Sequence, residues 1–331
     1  MSYNLADFTL SQLTDAVNVQ PPLDLFLSRF FTTGRLSKTS LQIERGETGL
    51  NLIDPTARGS VSPTATGAGR TRSLMNISSV KLGRVIEIAA SDIQDVRAFG
   101  SEDQEETLDT VINEQTGTVR RWIDYSNENL RFGTVKGKQL ASDGTTVIFD
   151  FYAAAGIAEP TPLDIALATA TRKELQEFFS DSDDHVRTGL GVEADMAQDV
   201  VIVYGKTAWR NFRENDAVAS LYDRYQEGAV NRQSVGGKRE AFELFNVKHV
   251  PYYGASIGDD EWRAIPVMPG LFQTKWTPLD NPETANTLGL PFYATPEVLP
   301  YGKGLGVELA SLPLHYVTRP EALIGGSDTT V

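Results

Sequence analysis

A serine between two glycines is the most reaction-like motif in this chain. The segment GASIG at residues 254–258 matches the G-x-S-x-G nucleophile elbow of serine hydrolases, and a strand-like segment precedes it. The elbow requires a helix directly afterwards, but residues 259–268 (DDEWRAIPVM) lead into another strand, and His315 is the only downstream histidine. The glycines therefore favour a hairpin turn, and a hydrolase that uses Ser256 stays as the enzyme alternative.

Two glycine patterns fail as cofactor sites. The segment YGKT at 204–207 follows a predicted strand and precedes a predicted helix, as a phosphate loop does. Five residues before Gly205, however, stands Val200, which lies inside the strand and leaves no loop to hold phosphates. A second glycine group precedes a strand and does not fit the strand-to-helix turn of a dinucleotide site: Gly302, Gly304 and Gly306. We predict no cofactor.

Four neighbouring residues could gather a cation: Asp181, Asp183, Asp184 and His185. The calcium-loop pattern needs a glycine at its sixth position, where Val186 stands, so a solvated loop is the favoured interpretation. His185, His249 and His315 are scattered without the spacing of metal ligands. We predict neither a metal site nor a catalytic constellation.

The composition narrows the function further. A net charge of -14 over 331 residues argues against a nucleic-acid binder, because phosphate contacts need clustered lysine and arginine. A protein that must coexist with DNA without adhering to it would carry this sign. The absence of cysteine excludes disulfides and thiolate sites. No signal-peptide pattern or membrane-length apolar run is present, so we expect a protein without a membrane partner.

A long helix over residues 101–130 is predicted to organise the chain. Ser101 and Gln104 form a capping box, and acidic residues fill the first turns, where the helix dipole favours negative charge. The apolar residues form one stripe: Leu108, Val111, Ile112, Val119, Trp122, Ile123 and Leu130. Such a helix would be roughly 40 Å long and should lie along the outside of a sheet.

An apolar arm and a basic ribbon precede this helix. Thr9 and Gln12 could cap a first short helix. Large apolar residues then cluster on one side after two prolines: Leu23, Phe26, Leu27, Phe30 and Phe31. They must fold back onto their own body or pack against another copy. Residues 38–90 alternate as a two-stranded excursion with a Gly/Pro/Ser/Thr-rich tip. A two-stranded ribbon is marginal alone, so it needs a surface to lie on.

The second half of the chain predicts a hairpin, an α/β region and returning strands. The hairpin is 139–152 with an Asp143-Gly144 turn, and its face is lined by Val147, Phe149 and Phe151. A helix at 171–179, a buried strand at 200–204 and helices from 206 to about 225 indicate a second compact domain. The late segment GVELASLPLHYV could pair beside the early hairpin and close the first domain.

The order of these parts resembles the major capsid protein of tailed bacteriophages, specifically the lambda-type (major capsid protein E) family. The resemblance covers nearly the whole chain and rests on that order and on short stretches: PPLDLFLSRFF, VVIVYGKTAWRNFRENDAV and VELASLPLHYVTRPEALI. It implies an α+β fold of the Hong Kong 97 type. The implied parts are an N-terminal arm (1–36), an extended loop (37–92), a peripheral domain (93–159) with the spine helix 101–130, an axial domain (160–245) and returning strands (246–331).

The resemblance implies a structural protein whose copies form pentamers and hexamers of an icosahedral shell enclosing phage DNA. The shell would be part of the virion and assemble in the host cytoplasm, with a portal, a separate scaffolding protein and room for a decoration protein. We hypothesise that tip arginines dock on the acidic start of a neighbouring spine helix: Arg58, Arg70 and Arg72 on Glu102, Asp103, Glu105, Glu106 and Asp109.

Two departures from relatives of this kind refine the expectation. Only about 35 residues precede the loop, so the scaffold should be a separate protein. The tip between Asp54 and Ser73 has no lysine to form an isopeptide bond, and a guanidinium does not serve as that nucleophile, so we expect a shell without cross-links. An encapsulin-type compartment, which shares the fold and contains no genome, remains the nearest alternative.

Overall fold

The computed structural model of the chain describes residues 9–23, 25–46, 72–89, 108–220, 242–245, 247–254 and 256–330. The named helices are α1 (Leu10–Val19), α2 (Leu108–Lys136), α3 (Phe151–Ala155), α4 (Arg172–Leu190) and α5 (Lys206–Glu214). The strands of the first half are β1 (Phe31–Arg35), β2 (Ser40–Gly46), β3 (Arg72–Ser78), β4 (Leu82–Ala89), β5 (Lys138–Leu140) and β6 (Val147–Asp150). The later strands are β7 (Asp199–Tyr204), β8 (Phe242–Leu244), β9 (Val247–Pro251), β10 (Glu261–Val267), β11 (Phe272–Trp276), β12 (Tyr293–Val298), β13 (Gly304–Ser311), β14 (Pro313–Val317) and β15 (Ile324–Ser327).

The long helix α2 continues past its predicted end at residue 130. Phe132 and Val135 extend the apolar stripe and are almost fully buried, which keeps the chain helical to Lys136. Gly137 then takes a left-handed φ of 84°, and a Cβ at this position would lie 2.2 Å from the Tyr152 ring. The predicted cap at residues 101–107 lies outside the described residues.

A five-stranded sheet in the order β15-β10-β7-β9-β8 forms the base of the largest core. The predicted strand β7 is buried along nearly its whole length. Helices α4 and α5 pack on one face of this sheet, where Phe178 meets Trp262 with ring centroids 4.8 Å apart and Phe212 stacks on Tyr204 at 5.1 Å. Because β10 and β15 belong to the returning chain, residues 160–245 do not complete this sheet alone.

The returning strands also pair with strands of the first half of the chain. Strand β13 pairs antiparallel with β4, from Gly304 opposite Ala89 to Ser311 opposite Leu82, and with β12 on its other edge. In another sheet, β1 lies parallel to β11, and β14 is antiparallel to β11. The beginning and the end of the chain therefore share two sheets.

The predicted ribbon is shorter at its base than expected. Strands β2 and β3 pair from Ser40 opposite Ser78 to Gly46 opposite Arg72. The prediction that residue 82 continues the ribbon is wrong, because β4 begins there and pairs with β13. Met75 and Ile77 are buried in the chain's own core, so the base of the ribbon packs in cis. Residues 47–71, which include the tip, lie outside the described residues.

The predicted hairpin forms around its Asp143-Gly144 turn, where Gly144 has a φ of 70°. The prediction that Phe151 continues the second strand is wrong. Asp150 accepts a hydrogen bond from the Ala153 amide at 3.0 Å, which caps the short helix α3 at that point.

Candidate functional site

The arginine–acid contact predicted between copies falls largely outside the described residues. Arg58, Arg70, Glu102, Asp103, Glu105 and Glu106 lie there. Arg72 opens β3 and Asp109 is the second residue of α2, and only their backbone is described. This contact therefore stays a prediction.

A groove of about 630 Å³ runs between β4 and α2. It is lined by Arg84, Val85, Glu87, Glu114 and Trp122, among others. Val85 is 62% exposed and Trp122 is 55% exposed, and the Arg84 guanidinium lies 5.8 Å from the centre of the Trp122 ring. The prediction that Trp122 belongs to the buried stripe is wrong, because it lies at the edge of a narrow stripe whose centre is Ile112, Val119 and Ile123.

A row of charged side chains on α2 holds the N-terminal arm by its backbone. Arg120 donates hydrogen bonds to the carbonyl oxygens of Val17 and Gln20. One turn later, Asp124 accepts from the Leu23 amide at 3.2 Å. One further turn on, Glu128 accepts from the Leu27 amide at 2.8 Å. We name Arg120, Asp124 and Glu128 the arm clasp; their spacing of four residues places them on one face of the helix.

Burial shifts the pKa values of the charged groups in and beside the arm clasp. It raises the pKa of Asp124, against the opposing effect of the hydrogen bond from Leu23 and of the nearby guanidiniums. Burial likewise lowers the pKa of Arg120 and of Arg131, whose guanidinium lies 3.7 Å from Glu128. Charges in such surroundings are costly unless they are paired, so the arm and the helix depend on each other.

The arm itself folds back onto its own chain, which decides between the two options left open by the sequence. Phe26, Leu27 and Phe31 are each at most 4% exposed and belong to the largest core. Phe30 packs against that core, whereas Leu23 is 41% exposed. The first helix forms as predicted, with reciprocal hydrogen bonds between Thr9 and Gln12.

The serine motif lies in a turn between two strands and has no catalytic partner among the described residues. Ser256 Oγ donates a hydrogen bond to Asn129 Oδ1 on α2. His315 is 3% exposed, and its Nδ1 shares a hydrogen bond with Thr274 Oγ1 at 2.8 Å. The turn interpretation therefore describes this segment, and the arrangement cannot activate a serine nucleophile.

Two of the three histidines, His249 and His315, are buried. His249 is fully buried, with Nδ1 2.8 Å from the Tyr204 hydroxyl and Nε2 3.1 Å from the Leu244 carbonyl oxygen. Burial lowers the pKa of His249 to about 3 and that of His315 well below its usual value. Both are neutral core groups at neutral pH, and His185 lies apart from them on α4.

The YGKT segment forms the start of α5, and backbone amides there already donate hydrogen bonds within the chain. Gly205 precedes α5, and the amides of Thr207 and Ala208 both donate to the Asp259 carbonyl oxygen, at 2.9 and 3.0 Å. A Cβ on Gly205 would lie 2.0 Å from the Gly258 carbonyl oxygen. The glycine serves close packing of two backbones, not phosphate binding.

The acidic group is on a helix and not on a loop, which corrects the loop prediction. Asp181, Asp183, Asp184 and His185 all belong to α4, and Asp183 accepts a hydrogen bond from Arg187 at 2.7 Å. No cluster of potential metal ligands occurs in the described part of the chain. Among the later glycines, Gly302 has a φ of 66° in the turn before β13, and Gly304 faces the Ile88 carbonyl oxygen.

The arm clasp is the functional feature that sequence reasoning missed. Its signal was the run of charged residues at Arg120, Asp124 and Glu128, which resembles an ordinary solvated helix face.

No helix in the described residues combines the length and apolar character that crossing a membrane requires.

Comparisons with known proteins agree with the fold. The family model described as phage major capsid protein E matches residues 9–327. The major capsid protein of Salmonella phage Felix O1 is 22% identical, covering 96% of this chain and 95% of that one.

Two solved structures have a similar fold. The putative capsid protein of a prophage of E. coli CFT073 is 12% identical, with a TM-score of 0.58, over 97% of this chain and 99% of that one. The capsid of cyanophage P-SCSP1u is 11% identical, with a TM-score of 0.54, over 93% and 91%. The fold is thus the Hong Kong 97 type of tailed-phage capsids, with mixed helix and sheet. The chain belongs to the phage major capsid protein E family and is a structural protein of the virion's capsid shell, not an enzyme.

Proposed function

We propose that this chain assembles into pentamers and hexamers that build an icosahedral shell around phage DNA. The observation that carries the proposal is the groove between β4 and α2. Val85 and Trp122 expose more than half of their surface there. Large exposed apolar groups that line a groove are typical of interaction sites, and a neighbouring copy would cover them.

The contact that we propose for this region joins the tip arginines of one copy to the acidic helix start of the next. Glu87 on β4 and Glu114 on α2 line the groove and carry charge of the same sign as that helix start. Exposed ion pairs contribute only about 0–1 kcal/mol each, but every copy in a symmetric shell repeats them. The contact would therefore be weak in a single pair and decisive in the closed particle.

Reversal of two tip charges tests this contact. The variant Arg70→Glu with Arg72→Glu should keep a folded protomer but form no closed shells, because the acidic helix start would then repel the tip. Circular dichroism checks the fold, and negative-stain images check assembly. Lys38→Glu, a single reversal at an exposed position of the ribbon base, is the control and should assemble normally. Normal shells from the double variant would remove the proposed contact.

We further propose that DNA is enclosed without sequence-specific binding and that assembly takes place in the host cytoplasm. The net charge of -14 supports the first point, since a net negative chain does not adhere to packed DNA. A separate scaffolding protein, a portal and a decoration protein complete the proposed set of partners. The same proposal divides the chain into an arm, an extended loop, a peripheral domain and an axial domain.

Imaging of assembled particles tests the proposed function as a whole. Counting capsomers in the particles gives the numbers of pentamers and hexamers directly. Particles with closed icosahedral order and dense DNA inside are the expected result. A chain that stays monomeric both alone and when produced together with the other head proteins of its phage would contradict the proposal.

A further inference from the structure

The exposed face of α5 is basic, although the chain as a whole carries a net charge of -14. Lys206, Arg210 and Arg213 recur at a spacing of four and three residues, so they share one face, and all are exposed. Trp209 and Phe212 of the same helix are buried in the core. We name these three residues the basic face. The side chains of Lys206 and Arg210 make no hydrogen bond or ion pair with other residues that the structure describes.

Helix α4 carries a matching acidic face. Glu174, Glu177, Asp181 and Asp184 recur at spacings of three, four and three residues, and all are exposed. Glu177 has an exposed partner in Lys173 at 3.3 Å, whereas Asp181 has no hydrogen bond or ion pair with any described residue. This acidic face includes two of the residues that resemble a cation site in the sequence.

Helices α4 and α5 contact each other through aromatic rings. Phe179 of α4 and Phe212 of α5 meet edge to face with ring centroids 5.8 Å apart, and both rings contact His249. This contact fixes both helices on one side of the five-stranded sheet. Within the described residues, no ion pair joins the basic face to the acidic face.

We propose that the basic face of α5 binds the acidic face of α4 on a neighbouring copy of this chain. The proposal rests on the proposed function, because a shell brings many copies together. Both faces are short: at the helical rise, the basic face spans roughly 10 Å and the acidic face, which could cover it, roughly 15 Å. Two different faces that complement each other form a head-to-tail contact, and such contacts generate rings like those of pentamers and hexamers.

A neighbouring copy explains the basic face better than DNA does. Proteins that bind duplex DNA place several phosphate contacts on one surface, commonly about 6–10. Only three cations stand on this helix, and exposed Glu214, Asp259 and Asp260 lie at its two ends. Three cations are fewer than a duplex contact of that kind uses, so a short protein contact suits this face better.

A charge-swap experiment tests the contact. Arg210→Glu alone and Asp181→Arg alone should each raise the protein concentration at half-assembly by about tenfold or more, since each places like charges opposite one another. Combining Arg210→Glu with Asp181→Arg should restore that concentration to within about threefold of the unchanged protein. Sedimentation velocity of the full chain measures the assembled fraction, and thermal unfolding confirms that each variant is folded.

Arg172→Glu is the matched control, because it makes the same charge change on the far side of α4 and should leave assembly within about twofold. Single variants that assemble normally, or a double variant that fails to recover, would overturn the contact while leaving the shell function intact. Particles of Arg210→Glu that assemble normally but retain less DNA would show that the basic face binds nucleic acid, which also overturns it. An unchanged protein that never assembles would instead contradict the proposed function.

Discussion

The replacement Glu128→Gln tests whether a charged side chain holds the arm to α2. Glu128 Oε1 accepts hydrogen bonds from the Leu27 amide at 2.8 Å and from the Tyr252 hydroxyl at 3.3 Å. Its Oε2 lies 3.7 Å from the Arg131 guanidinium. Glutamine keeps the shape and one acceptor oxygen, so the change removes the charge and little else.

The expected loss of stability has two sources: the hydrogen bond from Leu27 becomes a neutral one, and the ion pair with Arg131 is lost. A hydrogen bond to a charged group contributes about 1.5–3 kcal/mol, against about 0.5–1.5 kcal/mol for a neutral one, so the bond to Leu27 loses about 1 kcal/mol. The Arg131 side chain is only 11% exposed and loses its carboxylate partner. Breaking a fully buried pair costs about 3–5 kcal/mol, and this pair is partly solvated. Together the arm should be destabilised by about 2–4 kcal/mol.

Hydrogen exchange measures this free energy locally. Exchange in a peptide that covers residues 25–31 should become about 30- to 700-fold faster in Glu128→Gln, since every 1.4 kcal/mol corresponds to a factor of ten. Glu114→Gln makes the same chemical change at an exposed position of α2 and should alter stability by less than about 0.5 kcal/mol. Equal exchange in both variants would refute the view that the charged clasp holds the arm.

Three further predictions concern the core, pH and the particle. Gly205→Ala should lower the free energy of unfolding, measured in urea, by about 3 kcal/mol or more, because its Cβ would lie 2.0 Å from a backbone oxygen. Gly306→Ala should cost far less, because the nearest atom to its Cβ would be 3.5 Å away. Equal costs for the two variants would contradict this reasoning. Since burial depresses the pKa of His249 from 6.5 to about 3, the unfolded chain gains a proton below about pH 6.5 that the native chain does not, and stability falls toward pH 3. His249→Leu should therefore reduce the slope of unfolding free energy against pH by about 1.4 kcal/mol per unit between pH 6 and 4, and identical slopes would exclude this origin. Particles boiled in detergent should run as one band at 36.2 kDa, and a covalent ladder would show cross-linking.

Local patterns predicted the elements whose causes are local. The capping box at Thr9, the buried strand β7 and the Asp143-Gly144 turn all form as expected. The order of elements was also sufficient to suggest the family. These features depend on neighbours within a few residues, or on sequence order, which a single sequence displays directly.

The features that sequence reasoning missed depend on partners far along the chain. Arg120 binds carbonyl groups about 100 residues earlier, and nothing near it distinguishes it from a solvated charge. Helix α4 runs past residue 179 through poor helix formers, because Ser182, Val186 and Leu190 are buried and hold it in place. Ser182 Oγ also bonds the Phe178 carbonyl oxygen at 2.8 Å. Tertiary packing here overrides intrinsic helix propensity.

The parallel pairing of β1 with β11 can form only after most of the chain has been translated. Phe31 leaves the ribosome about 240 residues before Phe272, its partner in the sheet. At a translation rate of about 5–20 residues per second, the early strand waits on the order of ten to fifty seconds for that partner. A nascent polypeptide interrupted before residue 272 has no edge on which to place its first strand. The topology therefore delays completion of the arm until translation is nearly finished, and prematurely terminated chains would enter the pool of subunits with that strand unpaired.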